Sequence, residues 1–415
     1  MGDDGALTSS ACPPVVPGGD GLPTWLPILL GFLTAVGAAS TDMYLPAFPD
    51  IERTLHGAPG SAQFTLAAWF AGLAVGQLTQ GTLADRFGRR GPLIAGTLLY
   101  TVTAAASALA PSIFWLSVLR ALSAIGASAG MVIPRAVVRD MAEGHAAAIL
   151  MSRLMLVMGV APILAPTLGG MILSVASWRA LFWLLTGYGT LCCILVVWLL
   201  PETLPPARRV RLGPGEQIAR YRQILREPIF ASHAAIMGAG AFALFAYIGG
   251  ASPVFIDGFG LSPTQFGMVF GLCACGLIGG AQSNAHILAR FGLSAVLGVT
   301  VRVFLAATAV LAAVAFAGVA HLAAVIALLF CVVTCFGFLN PNTTVGALTR
   351  HAAHAGAASA VLGTVQFTFG ALSGLAVGLL TDGTPRGMAG LMLVGAVAAI
   401  LADRWRVRAF AASGG

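Results

Sequence analysis

Residues 81–90 read Gly-Thr-Leu-Ala-Asp-Arg-Phe-Gly-Arg-Arg and stand between two apolar stretches of membrane-spanning length. One acid and three arginines set that closely cannot lie in lipid, where charge is expensive. The chain must therefore surface into water there. Short loops rich in arginine stay on the cytoplasmic side, so the same ten residues also predict the side on which it surfaces.

Composition carries the argument outward from this point. Of 415 residues, 58% are hydrophobic and 9% charged, and the mean hydropathy is +0.90. A soluble domain carries roughly 25% charged residues, so the chain reads as an all-α integral membrane protein. A spanning helix needs about 20 mostly apolar residues. Such segments begin near Trp25, Ser61, Gly91, Ile113, Ile149 and Arg179, then near Ile229, Pro263, Ser294, Leu322, Gly356 and Met388, twelve in all. Between the sixth and seventh lies the longest polar stretch, with Arg208, Arg209, Arg211, Arg220, Arg222 and Arg226. The expected organisation is a disordered cytoplasmic tail over residues 1–22, six helices over 23–200 and a basic cytoplasmic loop over 201–228. Six more helices over 229–403 and a cytoplasmic tail over 404–415 complete it.

The net charge of +7 comes with 22 basic residues, all of them arginine. About fifteen fall in segments expected in the cytoplasm and four within spans, while Arg53, Arg179 and Arg386 lie outside; this is the positive-inside pattern and not a nucleic-acid face. Six of the seven cysteines lie in apolar spans, where a thiol acts as a small hydrophobe. Cys331 and Cys335 share a helix face, and His351 and His354 are spaced i, i+3. No adjacent His or carboxylate supports a metal at the cysteines, and the two histidines read as incidental residues of a solvated loop, so no metal or cofactor is expected. The amino-terminal 22 residues have no basic residue and do not read as a signal peptide.

Ionisable groups inside the bilayer are functional candidates. Asp42 is the one acid placed within a span, four residues before Pro46 and so about 6 Å deep. Arg120, seven residues into the fourth span, lies about 10 Å deep by the same rise. The two are expected to meet across a cavity, as a proton-handling pair or as a structural ion pair; an Asp42 that snorkels to the surface is the third reading. Arg135, Arg153 and Arg302 read as snorkelling arginines near the cytoplasmic ends of their spans. In the fifth span, Pro162 and Pro166 each remove a helical hydrogen bond, and Gly169 and Gly170 allow close approach of a neighbour. Ala289-Arg290-Phe291-Gly292 repeats the turn of Asp85-Arg86-Phe87-Gly88 without the acid or the paired arginines.

The decapeptide resembles the signature between the second and third helices of major facilitator superfamily transporters. Gly81, Asp85, Arg86, Gly88, Arg89 and Arg90 all match it. That resemblance implies two pseudo-symmetric six-helix bundles. Residues 161–170 look like the superfamily's antiporter motif, with Ala165 where the pattern has Gly. Ser40 to Pro46, Arg139-Asp140, Ser177-Trp178-Arg179 with Phe182, and Pro201-Glu202-Thr203-Leu204 resemble the Bcr/CflA drug-resistance branch. So do Asn340-Pro341-Asn342 and residues 355–360 with Gln366.

The branch implies proton-driven export of bicyclomycin- or chloramphenicol-type drugs across the bacterial inner membrane, with both termini cytoplasmic. By this resemblance Asp42 is the protonatable residue and Arg120 binds or relays. Asp85 and Arg89 form a cytoplasmic latch that stabilises the outward-facing state, and Arg139 and Asp140 either extend that charge network or merely end the fourth helix with a salt bridge. Tyr44, Tyr247, Asn340, Asn342 and Gln366 are the candidate substrate contacts. The expected partners are a small drug, protons and the bilayer, with the protein a monomer. An exporter of a metabolite, amino acid or sugar on the same fold is the alternative. A membrane enzyme or sensor is disfavoured, because the chain has no His-Glu-x-x-His, P-loop or signalling domain.

Overall fold

Within lipid each backbone polar group must be satisfied inside its own segment, which leaves helices as the economical solution for apolar runs of this length. The computed structural model describes residues 23, 25–142, 144–210, 213–351 and 354–412. Its helices are α1 (Trp25–Asp42), α2 (Phe48–Thr54), α3 (Ser61–Phe87), α4 (Arg90–Ala108), α5 (Ile113–Met141), α6 (Gly144–Leu173) and α7 (Trp178–Leu199). After them come α8 (Pro214–Arg226), α9 (Pro228–Ser252), α10 (Pro263–Phe291), α11 (Leu293–Phe316), α12 (Leu322–Leu348), α13 (Ala355–Leu380) and α14 (Pro385–Ala412). Local chemistry sets several starts. Ser262 and Gln265 exchange bonds at the head of α10, at 3.2 and 2.9 Å, as a capping box. Glu227 accepts from the Ile229 and Phe230 amides at the head of α9.

Among the described residues, eleven stretches are long and apolar enough to cross a membrane, with α1 and α2 joined as Trp25–Thr54. The twelfth crossing is α3, whose 27 residues are long enough but include Gln63, Gln77, Gln80 and Asp85. Its polarity is tolerated because protein lies on both sides. Gln80 donates to the Ile125 carbonyl of α5 at 3.1 Å, and Thr364 of α13 donates to the Ala74 carbonyl at 3.2 Å.

The first bundle is α1 with α3–α7 and the second is α9–α14; α3 packs on α13 and α6 on α10 across the seam between them. Both seams close tightly at the end away from residues 81–90. There Gly60, at φ +86°, lies against the Gly378 carbonyl, and a side chain at Gly170 would strike the backbone of Pro263. A Cβ on Gly267 would stand 2.8 Å from the Pro166 carbonyl. The paired seams are mirrored by paired turns. Gly88 ends α3 at φ +97° and Gly292 ends α10 at φ +75°, a backbone region that favours glycine. Arg86 lies 5.5 Å from the Phe87 ring and Arg290 5.4 Å from the Phe291 ring.

Several expectations need correction. Residues 81–87 form the last turns of α3, so only a tight turn separates it from α4. The loop over 201–228 contains α8, and the expected tail over 404–415 is helical to Ala412, with Arg404, Arg406 and Arg408 on α14. The expected tail over 1–22 lies outside the described residues.

Candidate functional site

The first candidate region lies where α1 stops. Asp42 is the last residue of α1, but the chain coils on through Leu45–Ala47 and α2, so the span ends at Thr54 and not near Pro46. Asp42 therefore lies twelve residues before the end of that continuous stretch and not at its edge. It is buried and, among the described residues, takes part in no ion pair.

Arg120 is not its partner. The buried guanidinium donates from Nη2 to the Ser40 carbonyl at 2.7 Å, one of the last-turn carbonyls that a helix end leaves free. It stands 4.1 Å from the Trp69 ring and 4.3 Å from the Tyr44 ring, with Phe182 at 5.8 Å. The cage is itself pinned: Trp69 donates to Thr41 at 2.9 Å, Tyr44 bonds Thr65 at 3.0 Å, and Ser40 bonds Tyr100 at 2.6 Å. Aromatic faces supply here the stabilisation that a carboxylate was expected to supply. The Tyr247 hydroxyl is buried without a hydrogen-bond partner, and its ring stacks on Phe270 at 5.3 Å.

The second region is the turn at residues 81–90. Arg89, buried there, donates from Nε to Asp140 at 2.9 Å and from Nη1 to Asp85 at 2.5 Å. Burial opposes its charge, but the two carboxylates outweigh that and hold its pKa above the ordinary arginine value. Glu202 accepts from the Arg89 amide at 2.7 Å and from the Arg90 amide at 3.4 Å, the head of α4. A side chain on Gly88 would collide with that carboxylate. Arg90 reaches the Val197 carbonyl at 2.6 Å, and Thr203 adds a bond to Asp140 at 3.3 Å. Asp140 thus joins the network. Arg139 does not, and Gly81 has room beside it. All of these bonds stay within the first bundle and the segment that follows it.

The second bundle keeps a charged device too, against the expectation that its turn had lost one. Arg406 pairs with Asp403 at 2.7 Å and donates to Ser294, beside Gly292, at 3.1 Å, both charges being buried. The charge comes from α14 and not from the turn, which is why the local repeat conceals it.

At this same end a cavity of about 500 Å³ opens between the bundles. Asp85, Arg89, Arg135 and Arg139 line it from the first bundle, α8 brings Arg220 and Tyr221, and α13 brings Ser359. None of the five candidate substrate contacts is among its lining residues. Tyr44 belongs to the Arg120 cage. Asn342 is buried in a reciprocal amide pair with Asn284, at 2.8 and 3.3 Å. Asn340 and Gln366 are half-buried and Tyr247 is buried. Pro162, Pro166, Gly169 and Gly170 lie on the continuous α6, where both glycines meet backbone: Met43 for the first and Pro263 for the second. Sequence reasoning missed Gln77, Gln217, Tyr221 and Ser359 as cavity residues. The amphipathic pattern of Pro214–Arg226 is the signal that marks Gln217 and Tyr221.

Residues 30–378 match the Major Facilitator Superfamily. The chain is 33% identical over 383 residues to the "Uncharacterized MFS-type transporter YdgK" of Bacillus subtilis, covering 91% of this chain and 94% of that one. It is 28% identical over 356 residues to a "Bicyclomycin resistance protein homolog" of Haemophilus influenzae, covering 84% and 87%. A crystal structure of a D-xylose-proton symporter superposes with a TM-score of 0.72 at 16% identity, over 92% of this chain and 96% of that one, and shares the fold.

Proposed function

The chain belongs to the major facilitator superfamily, as a transporter in its Bcr/CflA drug-resistance branch, and on that premise we propose that it is a proton-coupled multidrug efflux antiporter. It exports small drugs of the bicyclomycin or chloramphenicol type across the bacterial inner membrane by alternating access, with both termini cytoplasmic. The observation that carries this reading is the asymmetry of the seams. They are shut by backbone contacts at one end and hold a cavity at the basic end, as an inward-facing exporter awaiting substrate requires.

Asp42 is the proton site on this reading. A buried carboxyl with no ion-pair partner is free to exchange a proton each time its surroundings change. Arg120, held by its cage, stations a fixed positive charge on the same turn of α1. Each proton moving inward gains roughly 2.3 kcal/mol per 100 mV of membrane potential, enough to drive uphill export. The Arg89–Asp85–Asp140 network keeps the basic end of the first bundle rigid and presents Asp85 to the cavity, where it engages the second bundle when that end closes.

The test is expression in an efflux-deficient bacterium. Resistance to at least one bicyclomycin- or phenicol-like drug is expected, and Asp42→Asn should abolish it. Unchanged sensitivity across a broad panel would overturn the drug assignment.

A further inference from the structure

We propose that the cavity carries an anion-binding subsite, built on Arg135 with Arg139 and Arg220, that takes a carboxylate or phosphate group of a transported solute. The inference rests on the reading of this chain as a transporter and adds an anionic class of solute to the uncharged bicyclomycin- and chloramphenicol-type drugs proposed above.

Arg135 does not snorkel. It lines the cavity, half-buried, and its Nε is buried without a hydrogen-bond partner. Among the described residues its side chain makes one hydrogen bond, a long one from Nη2 to the thioether of Met158 at 3.8 Å. Among the described residues no carboxylate stands within ion-pair distance of it, or of Arg139 or Arg220. The cavity wall holds Arg89, Arg135, Arg139 and Arg220 against one acid, Asp85, and Asp85 is already bound to Arg89.

A guanidinium that is partly buried without a counter-charge, as Arg135 is, loses solvation and recovers part of that cost on meeting an anion. Arginine's planar fork suits carboxylates and phosphates in particular. Three guanidiniums from α5 and α8 that line one cavity, with no carboxylate partner among the described residues, therefore favour a small organic anion over a cation.

A matched pair of probes tests this on purified protein in phosphatidylcholine nanodiscs: 2-naphthoate and neutral 2-naphthamide. Naphthoate should bind more tightly, and its affinity should fall as ionic strength rises. Arg135→Gln should weaken naphthoate about tenfold or more and leave naphthamide unchanged. Arg220→Gln, on the linker helix, should weaken it less. The thermal midpoint of each variant reports whether it has folded, and the Arg220 variant serves if Arg135→Gln has not. Equal binding of the two probes would overturn the proposal. So would variants as tight as the parent, or a pocket that takes phosphatidylglycerol added to the disc but not naphthoate. Binding is read without a proton gradient, so a failed resistance panel would remove the export reading and leave this result standing.

Discussion

The guanidinium of Arg120 donates to the carbonyl of Ser40 at 2.7 Å and makes no ion pair with Asp42, two residues further along α1. The positive charge is thereby fixed by backbone and aromatic faces, and the carboxyl is left free. A device that must bind and release a proton gains from this separation, because a tight pair would hold the acid ionised throughout the cycle.

Asp42→Asn should therefore cost no stability. The carboxyl takes part in no ion pair among the described residues, and burying an amide is cheaper than burying a charge. The detergent-solubilised variant should unfold at or above the parent's midpoint. A marked fall would mean that Asp42 holds the fold together and is not a free carboxyl.

Arg120 should behave in the opposite way. Removing it in Arg120→Ala forfeits the contacts to Tyr44 and Trp69, about 2 kcal/mol or more for a desolvated cation–π site. Arg120→Lys keeps the charge but not the planar stacking or the forked donors. The order of thermal midpoints should be parent, then Lys, then Ala. A Lys variant equal to the parent would show that charge alone is required.

At the turn, Asp85→Asn should slow turnover without removing substrate binding. Asp85 is exposed at the cavity and bonds only one of the Arg89 nitrogens, while Asp140 and Glu202 still hold the turn. Transport in proteoliposomes and equilibrium binding of the same drug separate the two effects. Loss of binding would contradict the division of labour between latch and cavity.

The closed seam gives a fourth prediction. Gly170→Val sets a branched side chain against the Pro263 backbone, which cannot move aside without parting α6 from α10. The far end should open, seen as faster thiol labelling of a cysteine placed at Thr264, and export should fall. Unaltered labelling would mean that this seam is not the closed gate.

Much of this is legible in the amino-acid sequence itself. Charged turns between apolar runs marked the spans, and Phe87-Gly88 and Phe291-Gly292 marked the same turn twice. Polar α3 was legible as a span only because its neighbours were apolar, since its glutamines belong to seams formed by distant residues. The depth of Asp42 was not legible. Pro46 reads as a helix end, yet it sits at the start of a 3₁₀ turn that hands the chain on to α2, where its missing N–H costs nothing. Nor was the direction of Arg135: snorkelling and cavity-facing arginines look alike in sequence, and only the packing of α5 against its neighbours distinguishes them. The Asp403–Arg406 pair escaped because arginines near a carboxyl terminus read as a solvated tail.

Coupling between drug and proton at Asp42 is the central claim, and drug-induced proton release from the purified protein in weakly buffered detergent tests it most directly. Adding a bicyclomycin- or phenicol-type drug that the protein exports should release protons from the parent and none from Asp42→Asn, while both bind the drug. Equal release from the two, or drug binding by the parent with no proton released, would contradict the account.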